Sequence, residues 1–246
     1  MKRSHWSLLL SLILLAVSAA LYLLQIQLFR KPGDTFFYLL QDLAFLPMQV
    51  LLVTLILNEM LQRRAKQEMQ NKLNMVIGAF YSEMGADLLQ RCAAFDNRLD
   101  TLRTHVLIGS AWTDKDFATA QQQVRTHGFS IDARRPELAA LKQFLIERRS
   151  CLLALLENPN LLEHETFTDL LWAVSHLTEE LAYRPQLQGL PDSDYAHLSG
   201  DLQRAYTLLI YEWLAYVKHL RDNYPYMYSL VVRMNPFVPD ASPIVC

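Results

Sequence analysis

Glycine and cysteine are scarce in this chain. Seven glycines are spread over 246 residues, and none belongs to a phosphate-cradling loop, a dinucleotide turn or a nucleophile elbow. The cysteines are three, Cys92, Cys151 and Cys246. An odd number this widely separated argues against a disulfide framework, offers no CxxC pair and fits a reducing compartment. A basic excess is missing too. Residues 60–246 carry 19 Lys and Arg against 22 Asp and Glu, a balance of −3, which gives nucleic acid nothing to hold. No alternating strand pattern, internal repeat or long low-complexity run is present. No proline falls between Pro47 and Pro136, so nothing forces a helix to stop in that interval.

What remains is apolar and helical. Ser7–Phe29 is 23 residues without a charge, and Thr35–Leu57 is 23 residues with one Asp and no Lys, Arg or Glu. A helix of that length runs about 34 Å, against a hydrocarbon core of roughly 30 Å. Small residues at 16–20 resemble a signal-peptide cleavage site, but the apolar run continues past them to Leu28, which favours an uncleaved anchor. Trp6 and Tyr22 are placed to act as interfacial anchors or as lipid-facing residues. Arg30-Lys31-Pro32-Gly33-Asp34 reads as a tight turn, so the two runs, about 7–29 and 35–57, are expected to form an antiparallel transmembrane hairpin. Six Lys and Arg flank its open end (Lys2, Arg3, Arg63, Arg64, Lys66, Lys72) and two lie in the turn, which places both termini in the cytoplasm. Asp42 and Gln49, seven apart in the second run, form a candidate intramembrane polar face. It lines either an oligomer axis or an ion path, or else Asp42 is interfacial and pairs with Arg30 or Lys31.

Beyond Asn58 the chain turns polar, and then an apolar stripe begins: Leu73, Ile77, Phe80, Met84, Leu88, Cys92, Phe95, Leu99, Leu102, Val106. Its steps of three and four are helical, so the second span is expected to run on as a long juxtamembrane helix, single or as two collinear pieces. Gly78, Ser82 and Gly85 share a face beside the stripe and form a candidate close-packing face; a hinge is the other reading. The rest reads as shorter helices: one capped by Thr113 and stopped by Gly128, one from Pro136 to about Leu156, one opened by Thr166 with Asp169, and a last long one from Asp192 or Ser193 to about Asn223. Tyr224–Phe237 is unusually aromatic and suits capping the core, docking on a membrane surface or binding a partner. The fold class is all-α, in two parts: residues 1–58 as the hairpin and 59–246 as a cytosolic helical bundle with an irregular tail.

Residues for chemistry are few. Glu-x-x-His, the di-iron bundle signature, is absent. His176 with Glu179 or Glu180, His197 with Asp194, and Glu212 with His219 are single pairs that solvated helix faces explain. Glu83 and Asp87 form a candidate carboxylate pair, with Arg91 as the simplest counter-charge. No residue is assigned a catalytic, cofactor-binding or metal-ligating role.

The segments Ala44-Phe45-Leu46-Pro47-Met48-Gln49-Val50-Leu51-Leu52-Val53-Thr54 and Lys72-Leu73-Asn74-Met75-Val76-Ile77-Gly78-Ala79-Phe80-Tyr81-Ser82-Glu83, with the Tyr224–Phe237 run, resemble an uncharacterised family of prokaryotic membrane proteins. That resemblance implies a bacterial or archaeal inner-membrane protein and brings no activity. The expected function is a membrane-anchored helical scaffold or a signalling and interaction module, with the bilayer and either further copies or another protein as partners. The alternatives are a small oligomeric channel or transporter component and a membrane-tethered enzyme.

Overall fold

Without Gly or Pro between Lys2 and Phe29, nothing in that stretch ends a helix, and α1 spans Lys2–Phe29 in the computed structural model. The structure describes residues 2–29, 32–159, 161 and 164–244, so Arg30, Lys31 and Cys246 lie outside it. α2 spans Pro32–Phe80 and continues through Pro47. The Pro32-Gly33 pair expected at the centre of a turn instead starts α2. Proline is at home there because the first helical N–H has no partner to lose and the ring pre-sets φ.

All the described elements are helices, and the only pairing of extended backbone among them is an isolated bridge between Asp96 and Ile131. The chain divides into two compact units, Met1–Lys66 and Gln67–Cys246. In the first, every described large apolar side chain from Leu12 to Leu28 and from Phe36 to Leu57 is exposed, Tyr22 apart. Among the described residues one helical stretch, Gly33–Ala93, is long and apolar enough to cross a membrane; the apolar stretch Leu12–Leu28 is shorter.

The second unit holds the core. The stripe from Leu73 to Val106 is buried, with Leu99 partly so. Two interruptions modify the long helix, single or in two collinear pieces, expected from it. Tyr81–Gly85 forms a π turn, after which α3 continues over Ala86–Ala93. The chain then breaks before α4, Leu99–Val106. The cause of the break is Asp96, whose Oδ1 accepts from the Arg98 N–H at 2.9 Å and the Ser130 N–H at 3.3 Å. Asx turns of this kind compete with helix continuation. The Arg135 guanidinium also bonds the freed Ala94 carbonyl.

α5 (Asp114–Thr126) opens on a capping box, with Thr113 N–H donating to Asp116 Oδ2 at 2.7 Å and Asp116 N–H returning to Thr113 Oγ1 at 3.4 Å. The helix expected from Pro136 to Leu156 is two, α6 (Leu138–Glu147) and α7 (Arg149–Leu156). α8 (Glu165–Tyr183) is capped by His164, whose Nδ1 accepts from Phe167 N–H at 3.2 Å; Thr166, the expected cap, sits two residues further on, inside the first turn. α9 (Asp192–Asn223) is the axis of the unit. α8, α5, α10 and α3 all pack on it, so Leu198, Leu202, Tyr206, Leu209, Ile210, Trp213, Leu214 and Val217 are buried round much of its circumference. α10 (Pro225–Arg233) begins the aromatic run, which closes over the core. Tyr228 donates to the Gly109 carbonyl at 2.7 Å, Asn235 donates to the Val106 carbonyl at 3.0 Å, and Phe237 is buried edge-on to Trp213.

Candidate functional site

Asp42 and Gln49 lie exposed on α2. The Tyr22 hydroxyl reaches Asp42 Oδ2 at a long 3.5 Å; the suggested partners Arg30 and Lys31 are outside the described residues. Gly78 lies under Tyr216 of α9, where an added Cβ would stand 3.4 Å from the ring. Ser82 is exposed at the same rim and bonds the Tyr216 hydroxyl. The nearest neighbours of Gly85 belong to its own helix: the π turn folds the rings of Phe80 and Tyr81 over it. Glu83 and Asp87 are exposed. Arg91, their expected counter-charge, lies 4.6 Å over the Phe144 ring.

Gly78 and Tyr216 belong to a cleft of about 320 Å³ that Asn74, His219, Tyr224 and Met227 also line. His219 Nδ1 lies 3.1 Å from the amide nitrogens of both Asn74 and Asn223. Burial lowers the His219 pKa, partly offset by Asp222, so the ring is neutral and Nδ1 accepts. The cleft is mainly apolar with a few hydrogen-bonding groups, and carries no net charge.

Buried polar chemistry lies deeper. Asp96 Oδ2 and His127 Nε2 face each other at 3.5 Å with both side chains buried. The Tyr206 hydroxyl is buried without a hydrogen bond, and burial drives its pKa up, with Asp96 and then Cys92 adding to it. Burial alone pushes the Cys92 thiol up to about 12, which leaves it inert as a nucleophile.

The densest gathering of ligand-type side chains is one that pairwise reading of the sequence missed. α8 presents His176 and Glu180 four apart, and α9 presents His197 and Asp201 four apart, so each pair shares a helix face. The helices run antiparallel: His176 meets Asp201 where Arg184, one end further on, meets Asp194. Leu177, Leu181, Leu198 and Leu202 bury the seam and fix its register. At its edge the Nε2 atoms of His176 and His197 stand 3.4 and 3.3 Å from Asp201 Oδ2. Glu180 lies 3.9 Å from His176 Nε2 through Oε1, and 3.6 Å from His197 Nε2 through Oε2. Arg184 bonds Glu180 Oε2 at 2.7 Å and lowers its pKa. Asp194 and Glu179, each expected beside a histidine, go elsewhere. Asp194 chelates Arg184, and Glu179 approaches Arg149 at 3.7 Å. The legible signal was His-x-x-x-acid, twice, on consecutive helices; a search for Glu-x-x-His looks at the wrong spacing.

Comparison with known proteins returns the same division of the chain. The family described as "Uncharacterized protein MJ1433, C-terminal helical domain" matches residues 69–233, and "MJ1433, N-terminal helical domain" matches residues 2–61. "Uncharacterized protein MJ1433" of Methanocaldococcus jannaschii is 40% identical over 237 residues, covering 96% of this chain and 95% of that one. No solved structure matches.

Proposed function

Since the chain belongs to the MJ1433 family, with its paired N- and C-terminal helical domains, we propose that it is an integral membrane protein: a two-span hairpin anchoring a cytosolic helical module that binds a protein partner. One observation carries the anchoring. From Phe36 to Leu57 sixteen large apolar side chains are exposed on all sides of α2. Burial of apolar surface is worth about 25 cal/mol per Å², so water is the wrong solvent for such a surface and a hydrocarbon layer the right one. α1 has the length to be the second span, at 28 residues, and its described apolar side chains are exposed as well. The charge count places both termini on the cytoplasmic side of a prokaryotic inner membrane. The binding role draws on the uncharged cleft at Asn74, Gly78, Tyr216 and His219, which is shaped to receive a side chain or short segment.

The test is extraction and topology together. Alkaline carbonate is expected to leave the full chain in the membrane pellet, and reporters at the two termini are expected to report the same, cytoplasmic side. Release into the supernatant would remove the anchor; reporters on opposite sides would reduce the hairpin to one span. The channel alternative draws on exposed Asp42 and Gln49. It requires a conductance in liposomes that Asp42→Asn alters, and the Tyr22–Asp42 contact offers Asp42 a partner without one.

A further inference from the structure

We propose that His176, His197 and Asp201, with Glu180 beside them, form a binding site for one divalent transition-metal ion of the zinc class. This site is separate from the anchor and from the cleft, and neither reading depends on it.

The Nε2 atoms of His176 and His197 stand 3.4 and 3.3 Å from Asp201 Oδ2, and one ligand atom from each of the three residues lies within 4.8 Å of the other two. Good charge-assisted N–H···O bonds are about 2.7–2.9 Å; these contacts are longer, and neither ring nitrogen is aimed well enough at Oδ2 to donate to it. Ligand atoms about 2.0–2.1 Å from a tetrahedral ion stand about 3.3–3.4 Å from each other. The spacing fits a shared cation better than a shared proton.

The second observation is an orphan. Asp201 is 4% exposed, and its Oδ2 makes no hydrogen bond although two imidazole nitrogens face it. An unpaired buried carboxylate oxygen is expensive. Arg204 occupies the other oxygen, Oδ1, at 3.2 Å, so Asp201 cannot turn Oδ2 away to find a donor without giving up that contact. Glu180 is held by Arg184 through Oε2, the oxygen nearest His197, and stands beside the set of three. A ligating carboxylate oriented from behind by an arginine, as Asp201 is, has the outer support that a metal site needs.

The donor types narrow the ion. Two imidazoles and one carboxylate, with no thiolate and no ring of carbonyls, suit Zn²⁺, Fe²⁺, Mn²⁺ or Co²⁺ rather than Ca²⁺ or Mg²⁺. The histidine side chains are 45% and 51% exposed, so the ion enters from solvent, and water can complete its coordination. α8 contributes His176 and α9 contributes His197 and Asp201, so the bound ion clamps α8 to α9.

The full chain in detergent, stripped with chelator, is titrated with Zn²⁺ or Co²⁺ alone. The expected result is one ion per chain, a visible Co²⁺ d–d spectrum, and a higher thermal midpoint for α-helix loss. His176→Ala and His197→Ala each abolish stoichiometric binding; Arg204→Ala weakens it by about 10- to 100-fold; His105→Ala leaves it unchanged. Asp201→Asn keeps the side-chain shape and reports loss of binding even where an alanine variant fails to fold. Absence of stoichiometric binding by a folded chain overturns the proposal. So does binding that His176→Ala and His197→Ala do not alter, which would leave an ionic cluster only.

Discussion

Among single residues, Glu212 carries the clearest electrostatic consequence. It is buried in α9 at 2% exposure, and burial raises its pKa, while a hydrogen bond from Thr166 and the proximity of His164 pull it back only in part. The sequence paired Glu212 with His219 on one helix face. In the fold Glu212 meets the start of α8, and His219 meets Asn74. A carboxyl whose pKa is higher folded than unfolded binds its proton more tightly in the native state. Its stabilising contribution is therefore complete below the unfolded value of about 4.3 and is lost as pH rises through the folded one. Glu212→Gln is accordingly expected to raise the thermal midpoint at pH 8, by about 2–4 °C for ~1 kcal/mol, and to have little effect at pH 4. Equal shifts at both pH values, measured by circular dichroism, would mean that folding does not raise the Glu212 pKa.

At the level of the element, the π turn at Tyr81–Gly85 explains an oddity of the stripe. From Phe80 to Cys92 the apolar residues step by four three times running, twelve residues in three turns where an ideal α-helix uses 10.8. The wider π turn absorbs the extra residue and keeps Met84, Leu88 and Cys92 on the core side. Gly85 permits it: an added Cβ would stand 2.6 Å from the Phe80 ring and 2.7 Å from that of Tyr81. Gly85→Ala is expected to cost about 1–3 kcal/mol through forced displacement of two buried rings. Gly200, inside α9 with nothing within 4 Å, gives the opposite sign: Gly200→Ala should stabilise by about 0.4–1 kcal/mol. Urea denaturation of both variants checks the pair, and destabilisation by both would contradict this account of Gly85.

For the molecule as a whole, the two units make different demands on solvent. Gln67–Cys246 holds the buried cluster from Leu73 to Phe237, and a unit of this size buries enough surface to be stable alone. Residues 67–246 expressed without the preceding segment are expected to remain soluble and to unfold in one cooperative transition. Aggregation, or a broad non-cooperative melt, would show that the core depends on the first 66 residues.

Much of this was legible without coordinates, because apolar periodicity and helix punctuation are local. The buried stripe, the Thr113 cap and the bounds of α9 all follow from neighbours a few residues apart. Other features needed long-range partners. The stop after Ala93 arises from Asp96 meeting Ser130, and the cap of α8 is a histidine whose rotamer the sequence does not specify. The sequence by itself determined an all-helical chain with an apolar N-terminal quarter and a packed remainder, since composition and period act residue by residue. Only the tertiary structure decided which polar residues face each other. His176 and His197 are twenty-one positions apart, and only the antiparallel packing of α8 on α9 brings both to the one buried oxygen of Asp201.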